Sequence, residues 1–127
     1  GTIKHDAHSF EIDHEGKDTW RYREAGVFSA AITNGRVMAF VSDIDTDYTP
    51  LDIAHLYFPL SDIIIIEGYK ESRSPKIEVI GDSAEEPLII SDNAVKIVVT
   101  DRDITASVPV FKRNDIASIV REIDRIF

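Results

Sequence analysis

The apolar positions fall into short blocks whose spacing changes along the chain. Thr2-Ile3-Lys4-His5 predicts a brief strand ending in polar residues. From Asp6 to Lys17 apolar anchors are few, and the segment reads as an acidic, His-rich loop. Asp18 is placed to cap a short helix over residues 19–25, which Gly26 terminates at the C′ position. Residues 27–33 are strand-like. Asn34-Gly35 is a strong hairpin signal, so residues 36–42 are expected to pair back. Thr49-Pro50-Leu51-Asp52 then reads as a helix start, with Thr49 as N-cap, Pro50 at N1 and Asp52 completing a capping box. That helix shows Ile53, Leu56 and Tyr57 as its apolar face and stops at Pro59.

The second half is richer in β-branched runs. Four isoleucines, Ile63 to Ile66, lack polar alternation and predict a strand buried on both faces. Residues 76–80 form another expected strand. Gly81 to Pro87 is a polar turn, and Leu88-Ile89-Ile90 is a candidate to pair back. Residues 95–99 form a second buried β-branched run, and 108–111 a short strand. Asn114 or Asp115 caps a last helix, where Ile116, Ile119, Val120, Ile123 and Phe127 recur at i, i+3, i+4, i+7 and i+11. Their expected role is core packing. No repeat, low-complexity tract or linker interrupts the pattern, so residues 1–127 read as one domain.

Apolar strands alternating with amphipathic helices predict an α/β domain of three layers. Its sheet would be mainly parallel, with helices on both faces and one antiparallel hairpin inserted. Ligands in such sheets bind at the carboxyl ends of the strands. Those ends carry His5 and Asp6, Glu67 and Gly68, and Thr100 and Asp101, which are expected to share one crevice.

Charge and composition narrow the choice of partner. Fourteen Lys and Arg against 23 Asp and Glu leave a net charge of −9, against binding a nucleic-acid backbone or an anionic membrane surface. With no cysteine, disulfides, thiolate metal sites and a Cys nucleophile are excluded. No apolar run approaches the length of a membrane span, and Gly1 to His8 is polar, unlike a signal peptide. The expected compartment is the cytoplasm.

Among motifs, the phosphate loop is missing from these 127 residues. Gly16-Lys17 is the only Gly-Lys pair, with Glu11 where the first glycine belongs and Asp18 where the hydroxyl belongs. Asp43, Asp45 and Asp47 open like a calcium loop. However, Tyr48 stands at the glycine position and Ala54 at the bidentate-Glu position, which rejects it. His5, Asp6, His8, Asp13 and His14 are possible ligands for zinc or another divalent ion. The strand-end pair Glu67-Gly68 suits a carboxylate that holds Mg²⁺ or its water, beside a glycine that lets backbone approach a ligand.

Taken in order, these segments resemble the molybdopterin-guanine dinucleotide biosynthesis protein B (MobB) family. The residues that carry the likeness run from Thr2-Ile3-Lys4-His5-Asp6-Ala7-His8 through Phe10-Glu11-Ile12-Asp13 to Glu15-Gly16-Lys17-Asp18-Thr19 and Arg23-Glu24-Ala25-Gly26. Ile66-Glu67-Gly68-Tyr69-Lys70 and Ser74-Pro75-Lys76-Ile77-Glu78-Val79 follow, then Val98-Val99-Thr100-Asp101 and Val108-Pro109-Val110-Phe111.

The resemblance implies a P-loop GTP-binding fold that dimerises around its nucleotides. It implies a helper role in attaching GMP to molybdopterin, beside the guanylyltransferase and other molybdenum-cofactor assembly proteins. The family's first strand, phosphate loop and first helix should precede Gly1, so a fragment or a natural truncation is expected. On that basis the chain would be at most a weak GTPase, with GTP and Mg²⁺ as the implied ligands. The family positions carried over are Lys4 facing phosphate, Asp18 near the nucleotide crevice, Glu67 for Mg²⁺ or water, Gly68 beside it, and Thr100 with Asp101 where related GTPases read guanine. Two other readings compete. One is a non-hydrolysing module that binds molybdopterin or a partner protein. The other is a metal module using His5, His8 and His14, with Asp6 as a further ligand.

Overall fold

The computed structural model describes residues 1–6, 8, 10–83 and 92–126. The chain divides into two compact units, Gly1–Lys70 and Glu71–Phe127. The expected pairing at 88–90, the second half of the turn at 81–87, and Phe127 lie outside the described residues.

In the first unit, β1 (Thr2–Lys4) and β4 (Ile65–Glu67) form a parallel pair, with Ile3 opposite Ile66 and Lys4 opposite Glu67. A parallel pair needs a long crossover. Here it is supplied by α1 (Asp18–Glu24), the hairpin β2 (Ser29–Thr33) and β3 (Met38–Ser42), and α2 (Pro50–Tyr57). The start of α2 is the capping box read from sequence. Thr49 Oγ1 accepts from Asp52 N at 3.2 Å, and Thr49 N donates to the Asp52 carboxylate at 2.9 Å. The Thr49 hydroxyl donating to the Asp52 carboxylate at 2.6 Å, and then the Thr49 backbone N–H, hold the Asp52 carboxyl below its ordinary value. The buried side of α2 is Pro50 and Ala54, with Ile53 half-buried. Leu56 and Tyr57, expected on the apolar face, are exposed. Leu56 lies off the Pro50–Ala54 row, and Tyr57 falls in the last turn, beyond what the three residues of β1 can cover.

Helix α1 corrects a second expectation. Lys17 occupies the N-cap position without a side-chain bond, and Asp18 is the first helical residue rather than the cap. Its end is as expected: Gly26 takes φ +89°, Gly26 N donates to Arg23 O, and Val27 N donates to Tyr22 O. The hairpin differs from a two-residue turn. Thr33 pairs with Met38, leaving a four-residue loop. Asn34 closes it, its Oδ1 accepting from Arg36 N at 3.0 Å and Val37 N at 2.9 Å.

The isoleucine run is not a strand buried on both faces. Ile63 and Ile65 are 50% and 62% exposed, while Ile64 and Ile66 are half-buried. Among the described residues β4 has one hydrogen-bonded neighbour, β1, and the strand's period of two turns every second isoleucine outward.

In the second unit, β5 (Lys76–Ile80), β6 (Val95–Thr100) and β7 (Val110–Phe111) form a parallel sheet in that order. β6 is central, and Val95, Ile97, Val98, Val99 and Thr100 are buried, as its sequence predicts. Ile80, Val95 and Val98 form the core, with Ile104 and Val108 packed against it. Helix α3 (Ile116–Ile126) starts on Asp115, whose Oδ1 accepts from Ser118 N at 3.2 Å. No residue of α3 is buried: Ile116 and Val120 are exposed, and Ile119 and Ile123 half-buried. Its expected core role is therefore not realised among the described residues. The mixed α/β class with parallel sheets and one antiparallel hairpin is as read from sequence. Among the described residues no helix is long and apolar enough to cross a membrane.

Burial separates the two β-branched runs experimentally. Val98→Asp is expected to unfold the second unit, because it buries an unpaired charge at a fully covered site. Ile65→Asp is expected to cost only about 1 kcal/mol, the scale of strand preference at an exposed position. Chemical denaturation of both variants checks this; equal losses would contradict the contrast.

Candidate functional site

The parallel register of β1 and β4 brings their carboxyl ends to the same edge. Lys4 and Glu67 are direct partners, with Nζ and Oε1 3.4 Å apart and side chains 66% and 72% exposed. An ion pair this open contributes little to stability and is easily parted. The next step along each strand ties the edge together: His5 N donates to Glu67 O at 2.9 Å.

The chain then turns sharply. Gly68 has φ +87°, and a Cβ there would stand 2.8 Å from the His5 carbonyl oxygen. Tyr69 follows at φ +48°, an uncommon conformation for a bulky residue. Its ring packs on His5 with centroids 4.4 Å apart, and its hydroxyl donates to Tyr48 O at 3.3 Å. These contacts hold a turn that the backbone alone disfavours. Asp6 Oδ1 accepts from His8 N at 3.0 Å, which shapes the loop leaving β1.

Lys4, His5, Glu67 and Gly68 are thus gathered at one strand edge. Asp18 lies elsewhere in the first unit, exposed in the first turn of α1. Thr100 and Asp101 belong to the second unit, at the end of β6. The Thr100 hydroxyl is buried, donates to Ile80 O at 3.0 Å and accepts from Arg102 N at 3.1 Å. Its hydrogen bonds are used inside the fold. The Asp101 carboxylate is gripped by Arg113, through both Nε and the backbone N–H, and Arg113 also reaches Asp82. Hydrogen bonding from the Arg113 side chain, then from its backbone, holds the Asp101 carboxyl below its ordinary value. Among the described residues no group of three or more His, Asp or Glu could hold a metal ion. The possible metal site at His5, Asp6, His8, Asp13 and His14 is therefore not assembled there; His5 is stacked on Tyr69, and Asp6 serves the loop backbone.

A family model described as molybdopterin guanine dinucleotide synthesis protein B matches residues 1–101. The chain belongs to the MobB family. The molybdopterin-guanine dinucleotide biosynthesis adapter protein of Haemophilus influenzae is 31% identical over 103 residues, covering 78% of this chain and 56% of that protein. The chain thus spans little more than half the length of that relative. The Escherichia coli adapter protein is 29% identical over 126 residues, covering 94% of this chain and 71% of its own. A crystal structure of molybdopterin-guanine biosynthesis protein B aligns with 99% of the chain and 79% of its own, at TM-score 0.77 and 18% identity, and shows the shared fold.

Lys4, Asp18, Glu67, Gly68, Thr100 and Asp101 all fall inside the MobB match, whereas Arg113 lies beyond it. Sequence reasoning missed Tyr69 and Arg113. A left-handed tyrosine has no sequence signature beyond the glycine before it, and Arg113 meets Asp101 only through the arrangement of β6 and β7.

Two measurements probe this geometry. Gly68→Ala is expected to cost about 1–3 kcal/mol, from a strained φ and a clash with His5 O. A thermal melt near wild type would show that the turn can relax. The Asp101–Arg113 pair has a depressed folded-state carboxyl, so its stabilisation is present above the ordinary value of 3.8 and is lost as pH falls below it. Asp101→Asn is expected to flatten the acid limb of the stability–pH curve below about pH 4. An unchanged acid limb would show that the pair contributes nothing.

Proposed function

We propose that the chain is a GTP-binding accessory protein of molybdenum-cofactor biosynthesis, assisting the attachment of GMP to molybdopterin beside the guanylyltransferase that performs it in the cytoplasm. The observation that carries this reading is the Lys4–Glu67 pair at the carboxyl ends of two parallel strands, in a chain of the MobB family. Relatives named adapter proteins support the accessory role.

The residues fit nucleotide and Mg²⁺ in part. Mg²⁺ is commonly held by one or two carboxylates, with waters and phosphate oxygens completing its shell. Glu67 offers one exposed carboxylate, restrained only by Lys4. Lys4 offers a mobile ammonium for phosphate. Gly68, lacking a side chain, leaves the turn backbone open to a ligand. When bound, Mg²⁺ would neutralise phosphate charge. In the second unit, taken by itself, Asp101 is a separate candidate for guanine N–H groups, oriented by Arg113. Without a phosphate loop in these residues, turnover is not expected from them, which keeps a non-hydrolysing binding module as the second reading. Homodimerisation belongs to the same proposal. It is supported by the two-stranded hairpin, where Ile32, Met38 and Phe40 are exposed.

The test is calorimetric titration with GTP and Mg²⁺. Binding weaker than micromolar is expected, because a phosphate loop's amides and lysine normally supply most phosphate contacts. Lys4→Glu is expected to abolish it, and Glu67→Gln to remove its dependence on Mg²⁺. Micromolar or tighter binding that both variants retain would place the phosphate site elsewhere.

A further inference from the structure

A pocket in the first unit shares no lining residue with the strand-end site. Its volume is about 300 Å³; Phe10, Ile12, Trp20 and Val41 give it apolar and aromatic walls, and Asp13 and Arg23 give it polar ones. Each polar side chain is anchored at one end. Asp13 Oδ1 accepts from the Thr19 hydroxyl at 2.8 Å, and an Arg23 terminal nitrogen donates to Asp43 Oδ1 at 2.7 Å. The other ends are left over. Asp13 Oδ2 and Arg23 Nε are shielded from solvent and have no hydrogen-bond partner. Such groups are rare in folded chains, because nothing repays their lost hydration.

The two orphans are complementary: one is an acceptor, the other an N–H donor. Glu11 and Glu15 also line the pocket, so with Asp13 three acidic residues and one arginine contribute to its wall, and the arginine is already paired with Asp43. That balance repels phosphate. It suits a neutral flat ring that presents N–H donors beside a carbonyl. The N–H groups would meet Asp13, the carbonyl would accept from Arg23 Nε, and the ring face would lie on Trp20. Residues 10–15 form no helix or strand and are tied by the Thr19–Asp13 bond and by Lys17 N donating to His14 O. Binding at the two shielded atoms would require this loop to move.

We propose that this pocket binds the aminopyrimidinone ring shared by guanine and pterins. The choice of ring rests on the function proposed above; the donor and acceptor pattern does not. Trp20 is the only tryptophan, so its fluorescence reports on the pocket directly. The probes are guanosine, free pterin and adenosine, none carrying phosphate, titrated by calorimetry and, for the nucleosides, by Trp20 quenching. Saturable binding of guanosine or pterin is expected; if only one binds, that ring is the ligand. Adenosine, with a single exocyclic donor group and no carbonyl, is expected to bind at least about tenfold more weakly. Asp13→Asn is expected to weaken ring binding about tenfold, and Arg23→Lys, a second variant should the first fail to fold, by a similar factor. Lys4→Glu separates the two sites: lost GTP binding with retained guanosine binding assigns them independently. Absence of saturable binding by both rings, equal binding of adenosine, or unchanged affinity in both folded variants would overturn the proposal.

Discussion

The close passage of Gly68 over the His5 carbonyl is the constraint on which the strand-end site depends. Parallel pairing sets Lys4 opposite Glu67 and lets His5 N bond to Glu67 O. The chain must then leave β4 without lifting off β1, and only a residue with no Cβ can do so, because a Cβ there would stand 2.8 Å from the His5 carbonyl oxygen. Tyr69 continues the left-handed turn, and its contacts with His5 and Tyr48 O offset that conformation. The carboxylate of Glu67 therefore projects from a backbone fixed on both sides.

Two kinds of charged pair stand out among the described residues. Lys76 and Asp92 are largely covered, and Asp92 also accepts from Ala94 N, so this pair pins the entry to the β5–β6 sheet. Arg113 similarly joins Asp101 to Asp82 and orders the end of β6. Lys4 and Glu67 differ: they touch at 3.4 Å, in solvent, with no further bonds between side chains. A pair worth at most about 1 kcal/mol can exchange partners for a phosphate or a cation at little cost. The covered Lys76–Asp92 pair helps to build the fold, whereas the open Lys4–Glu67 pair is easily parted.

What was legible in the sequence was local. Thr49, Pro50 and Asp52 specify their helix start within four residues, Asp115 does so for α3, and Gly26 ends α1, because caps need only near neighbours. What was illegible depended on neighbours in space. Ile63–Ile66 and Val95–Val99 look alike as strings. β6 has a strand on each side and a covered core, whereas β4 has one neighbour and exposed isoleucines. The apolar row of α3 likewise predicts a buried face only if something lies against it. Of the site, Lys4, His5, Glu67 and Gly68 were legible as strand ends. The orphaned atoms of Asp13 and Arg23 were not, since they result from which partner each side chain had already taken.

The position of Arg113 bears on how much of the site travels with the family. The MobB match ends at Asp101, the residue whose carboxylate is the candidate guanine contact. Its orientation comes from Arg113, outside the matched residues, through a backbone N–H and a side-chain N–H together. A carboxylate held by two donors from one residue keeps its charge and its direction, and still has lone pairs to offer. The strand-end acid is thus supplied by the matched region, while its aim is set by the segment leading into α3. Changes in that segment would re-aim this carboxylate without touching any residue of the family pattern.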